Sequence, residues 1–82
     1  MDSDQTIKRL EDTLVKRYGV LLSQVQLAQL LDRTPGGLRY SLCHPPDLQT
    51  RRLKACGRRI GRRIYYPAAD VARIVAAAMA SD

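Results

Sequence analysis

Glycine and proline punctuate this chain more tightly than a long helix or a broad sheet tolerates. Gly19, Pro35, Pro45, Pro46, Gly57, Gly61 and Pro67 fall at short intervals. Proline inside a helix removes a donor and clashes with the preceding turn, and glycine is costly there too. The chain must therefore fold as short helices and a small hairpin, each relying on its neighbours for burial.

The segments read as follows. Residues 4–18, "DQTIKRLEDTLVKRY", have Ile7, Leu10, Leu14 and either Val15 or Tyr18 at three- and four-residue steps, the pattern of an amphipathic helix. Asp2, Ser3 and Asp4 stand at its start, Lys16 and Arg17 at its end, and Gly19 stops it, as the helix dipole and C-terminal glycine preferences favour. Ser23 is a good N-cap for a second helix with Val25, Leu27, Ala28, Leu30 and Leu31 as its apolar part. Thr34 and Pro35 read as N-cap and first residue of a third helix, roughly 35–43, with Leu38 and Leu42 on one face. Pro45 and Pro46 end it.

Residues 47–52 read as loop. Beyond them, Leu53 and Ala55 alternate with Lys54 and Cys56, and Ile64 and Tyr66 alternate with Arg63 and Tyr65. Period two predicts two short strands around a glycine-containing turn, apolar row inward and cationic row outward. "PAADVARIVAAAMA" predicts a final helix with Val71, Ile74, Val75 and Met79 as its buried stripe. The expected fold is mainly α with a small β-hairpin.

At 82 residues the chain is expected to form one domain, 1–82, with a thin core. Apolar residues are 45% and charged residues 27%, a globular balance, and the absence of Trp and Phe leaves the core to Leu, Ile, Val, Ala and tyrosines. No apolar run approaches membrane-spanning length, and the N-terminus lacks the layout of a secretion signal, so a cytoplasmic, nucleoid-associated protein is expected. Cys43 and Cys56 then read as reduced, buried thiols. Together with His44 they offer three metal ligands at most, without paired spacing, so neither metal nor other cofactor is expected. His44 is the only histidine, and no nucleophile–base pair or phosphate-cradling loop accompanies it. An enzyme is not expected.

The charge distribution points to an anionic partner. The net charge is +6. Between Asp47 and Asp70 there is no acidic residue, while Arg51, Arg52, Lys54, Arg58, Arg59, Arg62 and Arg63 supply seven of the fourteen cations. A solvated basic face is the plainer alternative. Arginine outnumbers lysine six to one in that interval, and its fork suits phosphates and guanine edges. Upstream, two helices joined by a tight turn form the arrangement that lays a helix in the major groove of duplex DNA. With Leu38 and Leu42 inward, Gly36, Gly37, Arg39, Tyr40 and Cys43 face solvent or the boundary. Arg39 suits a guanine edge or a phosphate. Tyr40 suits a thymine methyl or a phosphate, or half-buried packing against the hairpin. Gly36 and Gly37 each cost about 1 kcal/mol against alanine in a helix; close approach of a sugar–phosphate backbone would explain them, as would a loose first turn.

Ala28, Leu31, Thr34, Leu38, Arg39 and Tyr40 resemble the helix pair of the MerR-superfamily winged helix-turn-helix. "GRRIGRRIYYPAADVARIV" is similar to the wing and following helix of its compact AlpA and excisionase-like branch. The resemblance covers residues 20–76; helix 1–18 is an addition, expected to pad the core or pair with another copy. It implies binding of double-stranded DNA, with Thr34, Gly36, Gly37, Arg39 and Tyr40 on a recognition helix. It implies a basic wing and flank of Arg51, Arg52, Lys54, Arg58, Arg59, Arg62 and Arg63. The implied role is that of a recombination directionality factor of a mobile element, bending DNA and self-associating on it or forming a homodimer, with an integrase as a further partner. The alternative is a small transcriptional regulator; RNA binding and an antitoxin role rank lower. The family's effector domain has no counterpart before Asp82, so effector sensing is not expected. The loop "CHPPDLQTRR" is longer than the family's usual connection, which blurs the register of the wing.

Overall fold

The computed structural model describes residues 3–80; the acidic start expected at Asp2 lies outside them, as do the side chains of Ser3 and Asp4. The element order is α1 (Ser3–Tyr18), β1 (Leu21–Ser23), α2 (Gln24–Leu30), α3 (Pro35–Cys43), α4 (Leu48–Cys56), β2 (Arg58–Ile60), β3 (Arg63–Pro67) and α5 (Ala68–Ala80). The protein is mainly helical, with one three-stranded antiparallel sheet in the order β1-β3-β2.

The capping chemistry is local and strong. Gly19, with φ 103°, ends α1, and its amide donates to the Val15 carbonyl. Ser23 Oγ accepts from the Gln26 amide while Gln26 Oε1 accepts from the Ser23 amide, a reciprocal capping box. At the other end of α2, Asp32 adopts φ 56°. The Arg33 amide then donates to the Ala28 carbonyl and the Asp32 amide to the Gln29 carbonyl. This is the six-to-one and five-to-two pairing of a left-handed C-terminal cap. It turns the chain so that Thr34 can cap α3, its Oγ1 accepting from the Gly37 amide at 3.0 Å.

Three expectations change. Residues 47–52 are not loop, and Leu53–Cys56 is not a strand: Asp47 is the cap of α4, and the rest belong to that helix. Asp47 accepts from the Thr50 hydroxyl at 2.7 Å and the Thr50 amide at 2.8 Å. Those same bonds, the hydroxyl's first, hold the exposed carboxyl below its usual range. A four-residue alternation is too short to outweigh a capped helix that buries Leu53. The hairpin is accordingly shorter than expected, and Arg51, Arg52 and Lys54 ride on a helix. The third change is β1, an unforeseen strand whose Leu22 pairs with Tyr66.

The core draws on every element except β2: Leu14, Leu22, Leu27, Ala28, Leu38, Leu42, Leu53, Tyr66, Ala68, Val71, Ala72 and Ile74. Tyr18 rather than Val15 completes the α1 stripe, since Val15 is exposed. Val25, Ile64 and Met79, expected inward, are exposed. Val25 and Met79 lie near the ends of α2 and α5, and Ile64 lies one residue from the start of β3. Helices α1 and α5 pack along one another and form the back of the molecule.

Candidate nucleic-acid interface

On the other side, α3, α4 and the hairpin enclose an open cleft of about 770 Å³. The start of α2 contributes Ser23, Gln24 and Val25; α3 contributes Arg39, Leu42 and Cys43; α4 contributes Lys54. Gly57, Arg59, Arg62, Arg63, Ile64 and Tyr66 complete the wall. Five cations from three parts of the chain thus border one space with no carboxylate in its lining. Among the described residues none of the five forms an ion pair.

Each side chain is positioned by an ordinary constraint. On α3, Leu38 and Leu42 are buried, which leaves Gly36, Arg39, Tyr40 and Cys43 on the opposite face at helical spacing, so Cys43 is an exposed thiol and not a buried one. Strand pairing sets Arg59 opposite Ile64 and Ile60 opposite Arg63. The turn between them is the two-residue loop Gly61–Arg62. Gly61 takes φ 65°, the positive value that the first residue of a tight hairpin loop requires. Gly57 joins α4 to β2 where a Cβ would lie 3.0 Å from both Ile64 Cγ2 and Tyr66 Cε2, so a larger residue would lift the hairpin from its seat. Tyr66 is buried, and its hydroxyl accepts from Gln24 Nε2 at 3.3 Å. Burial pushes the phenol above its usual range, partly offset by that bond.

The residues expected at the site divide into groups. Arg39, Lys54, Arg59, Arg62 and Arg63 share the cleft. Thr34 and Gly37 are occupied with each other: a Cβ on Gly37 would lie 2.9 Å from Thr34 Oγ1, so the glycine is explained by the cap rather than by an approaching ligand. Gly36 has open space where its Cβ would be. Tyr40 is 69% exposed and tilts against His44 at 5.0 Å between ring centres, which rules out half-buried packing against the hairpin. Arg51 is exposed on α4, away from the cleft wall.

Arg52 and Arg58 border a second hollow, with Ala55, Cys56, Asp70, Arg73 and Ile74. Arg58 Nη1 donates to the Ala55 and Gly57 carbonyls at 3.3 Å, and Arg73 pairs with Asp70 at 3.5 Å. The expected row of wing cations is therefore split between two sides of α4 and the hairpin. Burial, and then the Asp70 charge, push the Cys56 thiol up.

Sequence reasoning missed the contribution of Ser23, Gln24 and Val25 to the cleft. The cap signal at Ser23 was legible; its place beside the hairpin depends on β1 pairing with β3. Among the described residues no cluster of three His, Cys, Asp or Glu could hold a metal ion, and no helix is long and apolar enough to cross a membrane. Compared with known protein families, curated proteins and solved structures, the chain matches none.

Proposed function

We propose that this protein binds duplex DNA as a winged helix-turn-helix module, with α2 and α3 as the helix pair and β2–β3 as the wing. The observation that carries the reading is the cleft: Arg39, Lys54, Arg59, Arg62 and Arg63 converge on it without a carboxylate in its lining. Such a concentration of unpaired cations is self-repelling until an anion occupies it. The exposed face of α3 is offered to the major groove. There Arg39 meets a base edge or a phosphate, and Tyr40 is free to touch a thymine methyl. One sugar–phosphate strand then lies between α3 and the hairpin, met by Lys54, Arg59 and Arg62.

The role that agrees with the sequence resemblance is DNA bending by a recombination directionality factor of a mobile element, acting beside an integrase; regulation of transcription from such an element is the alternative. Gel-shift titration of the protein with duplex DNA and with structured RNA tests the class: preference for RNA, or indifference to duplex in dilute salt, refutes it. A footprint across the gene's own neighbourhood tests the role. The protein is 37 Å in its longest dimension, about one turn of B-DNA. Protection over several tandem repeats therefore means several copies side by side, as excision requires. One palindrome over a promoter means regulation.

A further inference from the structure

The tip of the hairpin carries an apolar side chain that the fold leaves without a role. Ile60, the last residue of β2, is 53% exposed, and all three residues of β2 are exposed. Gly61 and Arg62 follow as the loop, and Arg63 is the cross-strand partner of Ile60. Alternation along the ribbon puts Arg58, Ile60 and Arg63 on one face and Arg59 and Ile64 on the other. The ribbon thus carries an isoleucine directly behind its Gly61–Arg62 loop, with arginines on both of its faces.

We infer that Ile60 is a wedge that enters the minor groove of the bound duplex and opens a base step, while arginines on the two ribbon faces meet the phosphate rows on either side. This rests on the DNA-binding reading and adds to it the groove, the inserted residue and the opened base step by which the duplex is bent. The sizes argue for deformation. The minor groove of B-DNA is about 6 Å wide, and two paired strands are already about 4.8 Å apart before side chains are added. The ribbon cannot enter an undistorted groove; its Gly61–Arg62 loop must lead, and Ile60, directly behind that loop, is the first apolar side chain to follow. An apolar group there is a liability in water, yet it gains contact between unstacked bases, where branched aliphatic side chains serve as wedges that kink the duplex toward the major groove. A ribbon merely lying along the backbone would have cations on one face and no use for the isoleucine. An acidic protein surface would engage the arginines but offers no apolar slot between two rows of charge.

The test uses the full chain and a duplex of about three helical turns, with a flexible central TA step. The duplex carries a donor–acceptor pair at its ends and, in a parallel sample, a fluorescent adenine analogue at the step. The native protein brings the ends together and raises the analogue's emission. Ile60→Ala, and Ile60→Thr, which keeps a β-branched strand former, bind with an unchanged salt slope. They reduce the bend by about half or more and abolish the emission rise. Either variant bending and unstacking the duplex like the native protein overturns the wedge and leaves the DNA reading standing, as does native protein that binds a straight, stacked duplex. Native protein that binds no duplex overturns both.

Discussion

Arg39 and the hairpin arginines approach the cleft from different elements, and substitution separates what each does. Arg39 projects from the exposed face of α3. Replacing it with alanine is expected to erode the preference between DNA sites, by about 1–3 kcal/mol at the base it reads, more than it lowers affinity for unrelated DNA. Competition binding with single-base variants of a footprinted site measures this; a uniform loss makes Arg39 a phosphate clamp. Arg59 and Arg62 have no ion-pair partner among the described residues. Changing both to alanine is expected to weaken binding to all duplexes alike. The slope of log affinity against log salt should then flatten by about 0.9 for each phosphate that is no longer neutralised. A slope that does not change contradicts the wing assignment.

At the scale of elements, α1 and α4 ask different questions. Helix α1 supplies nothing to the cleft and packs Leu14, with Ile7, Leu10 and Tyr18, against the body of the molecule. Deleting residues 1–18 is expected to lower the thermal midpoint and weaken DNA binding only through that loss, with the chain still a monomer. Ultracentrifugation and calorimetry together decide. A truncated protein that keeps its midpoint but no longer self-associates makes α1 an oligomerisation arm instead. Helix α4 matters by its position. It separates the cleft from the hollow of Arg52 and Arg58, so a basic segment that reads as one run is divided between two sides. Asp47 begins it with local hydrogen bonds, and Leu53 is the one residue of α4 that is fully inward.

For the molecule as a whole, the buried Tyr66 phenol and the half-buried Cys56 thiol couple stability to alkaline pH. Both groups are pushed up by burial first, from ordinary values of 10.0 and 9.0. The unfolded chain therefore releases these protons at a lower pH than the folded one. By linkage their contribution is intact below the unfolded values and is lost as pH rises from them through the folded ones. The urea midpoint is expected to fall as pH rises above about 8.5, and Cys56→Ala should remove the lower part of that fall. A midpoint level through the alkaline range would mean that neither group is shielded from solvent.

Much of the fold was legible because much of it is local. Thr34 and Pro35 start α3, Ser23 starts α2 and Gly19 ends α1 through hydrogen bonds and dihedral preferences spanning a few residues, and these operate wherever the rest of the chain goes. The segregation of arginines from carboxylates is likewise a property of the chain alone. Other features are not local. Strand β1 exists because Leu21–Ser23 pairs with Tyr65–Pro67 from the far half of the chain, and three residues carry no periodicity to announce it. Residues 53–56 fit period two as well as a helix turn, and packing of Leu53 into the core decided between them. Composition determined that this protein carries an arginine-rich segment on short elements; only the tertiary structure decided which cations share a cleft. A side chain's neighbours across space depend on how helices and strands stack, and hydrophobic burial settles that for the whole molecule at once.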